Sequence, residues 1–151
     1  MEGKYTYQTT AHWTRHKQGI VEADRSIPRT INFAAPPEFG GEPGLWTPEH
    51  LLLAAVSTCF VATFRAVAAA SKLEFHSLEV PVEGVIEKQE GGYRFTKIWL
   101  RPMVTIHSEE DRERAGRLLE KAERICLISR SILATMVLEA KILVGEPVSA
   151  D

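Results

Sequence analysis

Residues 47–70 read Thr47-Pro48-Glu49-His50 followed by LLLAAVSTCFVATFRAVAAA, and the fold turns on how that stretch is read. Thr47 can cap a helix with its hydroxyl, and Pro48 at the first helical position needs no donor and already holds a helical φ. Glu49 puts a negative charge in the first turn, where the helix dipole favours it. From Leu51 to Ala70 the only charge is Arg65 and no Gly or Pro intervenes. Alanine and leucine, both strong helix formers, dominate. The spacing predicts one helix from Pro48 to Ala70, whose apolar part rises about 30 Å. A helix apolar on every side has to be buried on every side. Its length also reaches the roughly 20 apolar residues of a membrane span. Yet Ala, Ser, Thr and Cys make up much of it, Arg65 sits inside it, and it begins in mid-chain. A central core helix is the better reading, with no membrane partner.

The 151 residues, with 25% charged and 44% apolar side chains, predict a single soluble domain over residues 1–151 that buries about 70% of its unfolded surface. A net charge of -2 without any Lys/Arg block argues against nucleic acid as a partner. Two cysteines are too few for a disulfide scaffold and suit a reducing, cytoplasmic compartment, where a Cys pair is more often redox-active than structural. One wholly apolar helix is much for a chain this short to cover, so a second subunit is expected to supply part of the cover.

Working outward, residues 4 to 14 are rich in β-branched and aromatic types and read as a strand. Gly19 to Asp24 and Arg29 to Phe33 are shorter strands around a turn near Asp24-Arg25-Ser26. Ala34 to Trp46 holds Pro36, Pro37, Gly40, Gly41, Pro43 and Gly44, too many breakers for regular structure, and a loop this long in a small domain is usually functional. After the helix, Leu78 to Lys88 and Tyr93 to Ile106 form a hairpin about Gly91-Gly92. Gly84 shifts the apolar phase and suggests a bulge, and Pro81 and Pro102 belong at an edge or at bulges. Ser108 caps a second helix whose first turn holds Glu109, Glu110 and Asp111. Ala115, Leu118, Leu119, Ala122 and Ile125 give it one buried face. It should end near Cys126, with a short helical turn at Ser129 to Leu133, a last strand from Met136 to Val144 and a loose tail from Gly145. This order reads as α+β with mostly antiparallel pairing.

Cys59 lies well inside the apolar helix and Cys126 near the end of the second one. The commonest fate of a free cysteine is that of a small buried hydrophobe; the sharper alternative is a peroxidatic and resolving pair. A thiol must be a thiolate to attack, and apolar burial raises its pKa, so a reactive Cys59 needs a cation. Arg15, Arg25 and Arg29 are candidates, each also readable as a solvated surface charge. From the residues alone Glu49 reads first as a first-turn acid and capping-region charge. Ten residues of helix between Glu49 and Cys59 amount to about 15 Å, so the two cannot touch within one helix. If Glu49 serves Cys59, it acts through an arginine or across to a second copy of the chain. A Cys-His pair with His12, His16 or His50 stays open without a local signature. No histidine follows His50 at i+3 or i+4, no CxxC is present, and no glycine-rich phosphate loop follows a strand, so neither metal nor nucleotide cofactor is expected.

Thr47 through Phe60 resembles the Pro-Glu-x-Leu…Ala…Cys helix of the OsmC/Ohr family, the osmotically inducible and organic hydroperoxide resistance proteins. Ala122-Glu123-Arg124-Ile125-Cys126-Leu127-Ile128-Ser129 is similar to that family's Cys-Pro-x-Ser segment. The spacing of the cysteines, the glycine-rich loop and the strand order fit as well, over nearly the whole chain. The resemblance implies an intertwined homodimer, with two central helices between curved, mostly antiparallel sheets and a thiol peroxidase site at each side of the interface. It implies that Cys59 is the peroxidatic cysteine, Cys126 the resolving one, and Glu49 the acid that orients the catalytic arginine, for which Arg15 holds a similar place. The substrate would be an organic hydroperoxide and the reductant an external dithiol, with no bound cofactor. Two departures stand out: the stretch Pro36-Pro37-Glu38-Phe39 carries no arginine, and Leu127 replaces the usual proline. They motivate an alternative, a stress-related small-molecule-binding protein on this fold without efficient turnover.

Overall fold

Pro48–Ala70 forms one uninterrupted helix, α1, with the bounds the sequence predicts. Thr47 caps it: its Oγ1 accepts the His50 N–H at 3.1 Å, satisfying one of the donors a helix start leaves free. The computed structural model describes residues 3–24 and 27–145; Arg25, Ser26 and the tail beyond Gly145 lie outside them. The chain divides between Leu52 and Leu53 into two compact units.

In the first unit β1 (Thr9–Arg15), β2 (Gln18–Ala23) and β3 (Ile31–Ala34) form an antiparallel sheet in that order. β1 begins later than residue 4 because β2 runs out: Thr9 faces Ala23, the last residue of β2. A two-residue turn, His16-Lys17, joins β1 to β2, with His16 at φ 50. Trp13 steadies it by donating its indole N–H to the His16 carbonyl at 2.7 Å. The breaker-rich loop is not wholly irregular. Pro37–Phe39 makes one 3-10 turn, begun by a proline with its φ already set and closed by Gly40 at φ 82, a conformation glycine adopts without strain.

In the second unit the two predicted hairpin strands are each broken in two. The first becomes β4 (Phe75–Glu79) and β5 (Val82–Gln89), the second β6 (Gly92–Leu100) and β7 (Met103–Ile106). Pro81 and Pro102 sit in the two breaks, where no ladder donor is needed. The breaks lie level with each other, since the Arg101 N–H donates to the Pro81 carbonyl at 2.9 Å. A register shift falls between Val85 and Ile86, one residue past Gly84. The last strand is split likewise into β8 (Thr135–Leu138) and β9 (Lys141–Val144), which run parallel to β6 and β7. The chain between β7 and β8 is the crossover that parallel pairing requires. It holds a capped 3-10 turn at Glu109–Asp111, then α2 (Arg112–Ile125) and α3 (Leu127–Arg130). α3 starts two residues before the predicted turn at Ser129.

The core of this unit is α1's stripe Val56, Phe60, Phe64 and Ala68, packed with Ile98, Leu100, Val104, Ile106 and α2's Ala115, Leu119 and Ala122. Each buried Phe contributes about 1.5–3 kcal/mol by leaving water. Arg114 ties the start of α2 to the end of α1 by donating to the Ser71 carbonyl at 2.9 Å. One expectation of burial is corrected: Ile125 is half exposed, because it lies in the last turn of α2, at the edge of the cover. Within the single chain α1 is buried along one stripe, and Thr58, Ala62, Ala66, Ala69 and Ala70 remain exposed.

Candidate active site

Cys126 ends α2 and begins α3 at φ -59, ψ 117. This extended residue breaks the helix direction. Its N–H donates to the Glu123 carbonyl at 3.4 Å and its carbonyl accepts from Arg130 at 3.0 Å, so the corner is held on both sides. The turn leaves the first N–H groups of α3 without partners inside the helix, and those of Ile128 and Leu127 donate to the sulfur of Cys59. The Cys126 side chain hydrogen-bonds to the same sulfur, and the Thr63 hydroxyl, one turn along α1, lies 3.8 Å from it. Both thiols are free; Cys59 is half-buried and Cys126 fully buried.

These surroundings split the two thiols. Burial pushes Cys59 up, but the donors from Ile128, Cys126, Thr63 and Leu127 together hold it below the usual thiol range. Burial pushes Cys126 above that range, and its contacts with the side chain and backbone of Ser129 offset this only in part. The thiolate therefore forms first on Cys59, the better placed of the two to meet a ligand, with a neutral thiol in hydrogen-bond contact beside it.

Of the residues singled out in the sequence, the second unit brings Cys59 and Cys126 together. Glu49 and Arg15 belong to the first unit. Glu49 stands in the first turn of α1, with its Oε2 buried and unpartnered among the described residues. Arg15 is the last residue of β1, exposed, and makes no ion pair among the described residues. Arg29 is exposed between β2 and β3, and Arg25 is outside the described residues. His12 pairs with Glu22 at 2.9 Å and His50 with Thr47 Oγ1 at 2.8 Å; no histidine is among the groups that act on Cys59. Sequence reasoning missed Thr63, Ser129 and the two N–H donors. Thr63 was findable, four residues beyond Cys59 on a helix and so on the same face, and Ser129 stands three residues past Cys126. The N–H groups of Leu127 and Ile128 carry no side-chain signature.

A family model described as OsmC-like protein matches residues 41–141, a span that takes in both cysteines. The YmaD protein of Bacillus subtilis, itself described as uncharacterized, is 34% identical over 143 residues, covering 89% of this chain and 93% of its own. An OsmC-like protein of unknown function from Vibrio cholerae shares the fold with a TM-score of 0.81 at 21% identity, over 91% of this chain and 99% of that one. A structure from Legionella pneumophila, described as an organic hydroperoxide resistance protein OsmC and predicted redox protein, matches with a TM-score of 0.75 at 25% identity, over 94% of this chain and 99% of that one. With its family pattern, its α+β architecture and its paired cysteines all accounted for, the chain belongs to the OsmC-like family.

Proposed function

We propose that the protein is a cytoplasmic thiol peroxidase that reduces organic hydroperoxides, acting as a homodimer and re-reduced by an external dithiol. The observation that carries this reading is the thiol pair, with Cys59 held below and Cys126 above the usual range while their side chains touch. The Cys59 thiolate attacks the outer peroxide oxygen, the O–O bond breaks, and the alkoxide takes a proton to leave as alcohol. Cys59 is then a sulfenic acid, and Cys126 condenses with it to a disulfide with loss of water. The dithiol exchanges with that disulfide, returns both thiols and is itself oxidised. The chemistry runs on sulfur alone and calls for no bound cofactor. The Legionella relative's description as an organic hydroperoxide resistance protein supports the substrate class.

The homodimer is supported by α1's uncovered apolar side and by β1, exposed along its whole length with Trp13 at 75%. In that assembly Glu49 orients Arg15, and the Arg15 guanidinium steadies the Cys59 thiolate and the leaving oxygen. The orphaned Glu49 Oε2 supports a guanidinium partner, since a buried carboxylate oxygen without one is costly. One observation favours a second reading, a binding protein without efficient turnover: among the described residues no cation acts on Cys59. Consumption of an alkyl hydroperoxide in preference to hydrogen peroxide, with a dithiol present and lost in Cys59→Ser, is the expected result. Turnover at an equal rate in Cys59→Ser would refute the peroxidase.

A further inference from the structure

The resolving step has a difficulty of its own. Cys126 must lose its proton to attack, yet it is fully buried, and burial pushes its thiol up. Bulk water does not reach that proton, so a polar group beside the thiol is placed to collect it.

The polar side chain beside the buried thiol is Ser129, 5% exposed, which hydrogen-bonds to Cys126 through both side chain and backbone. On its other side the Ser129 hydroxyl donates to Glu123 Oε2 at 3.4 Å. The corner at Cys126 fixes this arrangement, because the Cys126 N–H bonds the Glu123 carbonyl and Ser129 follows within α3. Glu123 is half-buried on the last turn of α2. One end of the chain of groups therefore meets the thiol while the other reaches the surface. Burial also lifts the Glu123 carboxyl above the usual range, which makes its carboxylate a stronger proton acceptor.

We propose that Ser129 and Glu123 form a proton relay for Cys126, with Ser129 the catalytic residue that touches the thiol and Glu123 the positioning and accepting group behind it. The inference rests on the resolving role given to Cys126 above. In the step, the Cys126 proton passes to the Ser129 oxygen as the Ser129 proton passes to Glu123. The Cys126–Cys59 bond forms, the S–O bond of the sulfenic acid breaks, and the hydroxide departing from the half-buried Cys59 takes a proton from solvent and leaves as water. Glu123 then returns its proton to solvent.

The relay can be tested without any peroxide. An aromatic disulfide reagent, 5,5′-dithiobis(2-nitrobenzoate), is mixed with the reduced full-length protein. Cys59 releases a first thionitrobenzoate and retains the second as a mixed disulfide, which Cys126 displaces. Glu123→Gln and Ser129→Ala should slow the second release by about 100-fold, the lower reach of general-base help, with the first release at the wild-type rate. Ser129→Thr, which keeps the hydroxyl, should restore the second phase, and Glu120→Gln on the exposed face of α2 should leave both phases alone. A second phase at the wild-type rate in Glu123→Gln overturns the relay, as does equal slowing of both phases, which would mark a packing defect. If the variants slow the second release while the wild-type protein consumes no alkyl hydroperoxide, the peroxidase reading falls and the relay stands.

Discussion

The backbone N–H of Leu127 donates to the sulfur of Cys59 while the Leu127 side chain stands 66% exposed. The residue thus acts on the thiol through its main chain. Leu127→Pro isolates that contribution. Proline at the first position of a helix is tolerated, and the extended Cys126, at ψ 117, suits a residue that precedes proline. Only the donor is lost. The pH midpoint for alkylation of Cys59 by iodoacetamide should rise, with unfolding stability changed by less than about 0.5 kcal/mol. An unmoved midpoint would show that the N–H contributes nothing.

The two thiols should titrate in a fixed order. Alkylation follows the thiolate, so its rate rises with pH through the pKa of the thiol concerned. In Cys126→Ser the Cys59 midpoint is expected below the roughly 8.5 of a free cysteine, because its donors outweigh burial. In Cys59→Ser the Cys126 midpoint is expected above it, because burial dominates there. Rate-versus-pH curves on the two variants decide the order, and the reverse order would contradict the assignment of roles.

Loss of the resolving thiol should halt the cycle halfway. Cys126→Ser treated with one equivalent of an alkyl hydroperoxide should accumulate the Cys59 sulfenic acid, seen by mass spectrometry as a dimedone adduct. The wild type should show the intramolecular disulfide and little adduct.

In the proposed assembly Arg15 supplies the cation. Arg15→Ala should slow the reaction of Cys59 with an alkyl hydroperoxide by about 100-fold, the scale of losing one preorganised donor to a developing charge. Arg15→Lys keeps the charge but not the planar fork and should recover only part of that rate. Thermal unfolding should not move, since Arg15 is exposed and unpaired among the described residues. A wild-type rate in Arg15→Ala would pass the role to another arginine.

Gly84 is held by packing. A Cβ there would lie 2.7 Å from the Phe95 ring and 2.9 Å from a Leu53 methyl. Gly84→Ala should cost about 1–3 kcal/mol through overpacking, read by denaturant unfolding. The same assay on Phe60→Ala should give about 3–5 kcal/mol, since that ring is fully buried on the core side of α1.

The bounds of α1 and the capped start of the Ser108 segment were legible because caps, dipole charges and helix propensity act within a few residues of sequence. The cysteines were legible as candidates, and the family pattern around Cys59 named them. Breaks in all three strands of the second unit were not legible. Pro81 and Pro102 announce interruptions, but their alignment depends on register, and Glu139-Ala140 between β8 and β9 carries no breaker at all. The parallel pairing of the last two strands is likewise a property of the crossover path.

What the sequence by itself determined is the helix, its apolar wall and the presence of two thiols, because each follows from side-chain chemistry over short separations. Which thiol ionises first was decided by tertiary structure alone. By itself the apolar middle of α1 would push Cys59 up; the fold reverses that by turning the chain at Cys126 so that main-chain N–H groups face the sulfur. Every residue but proline carries such a donor, so only its position in space gives it a function.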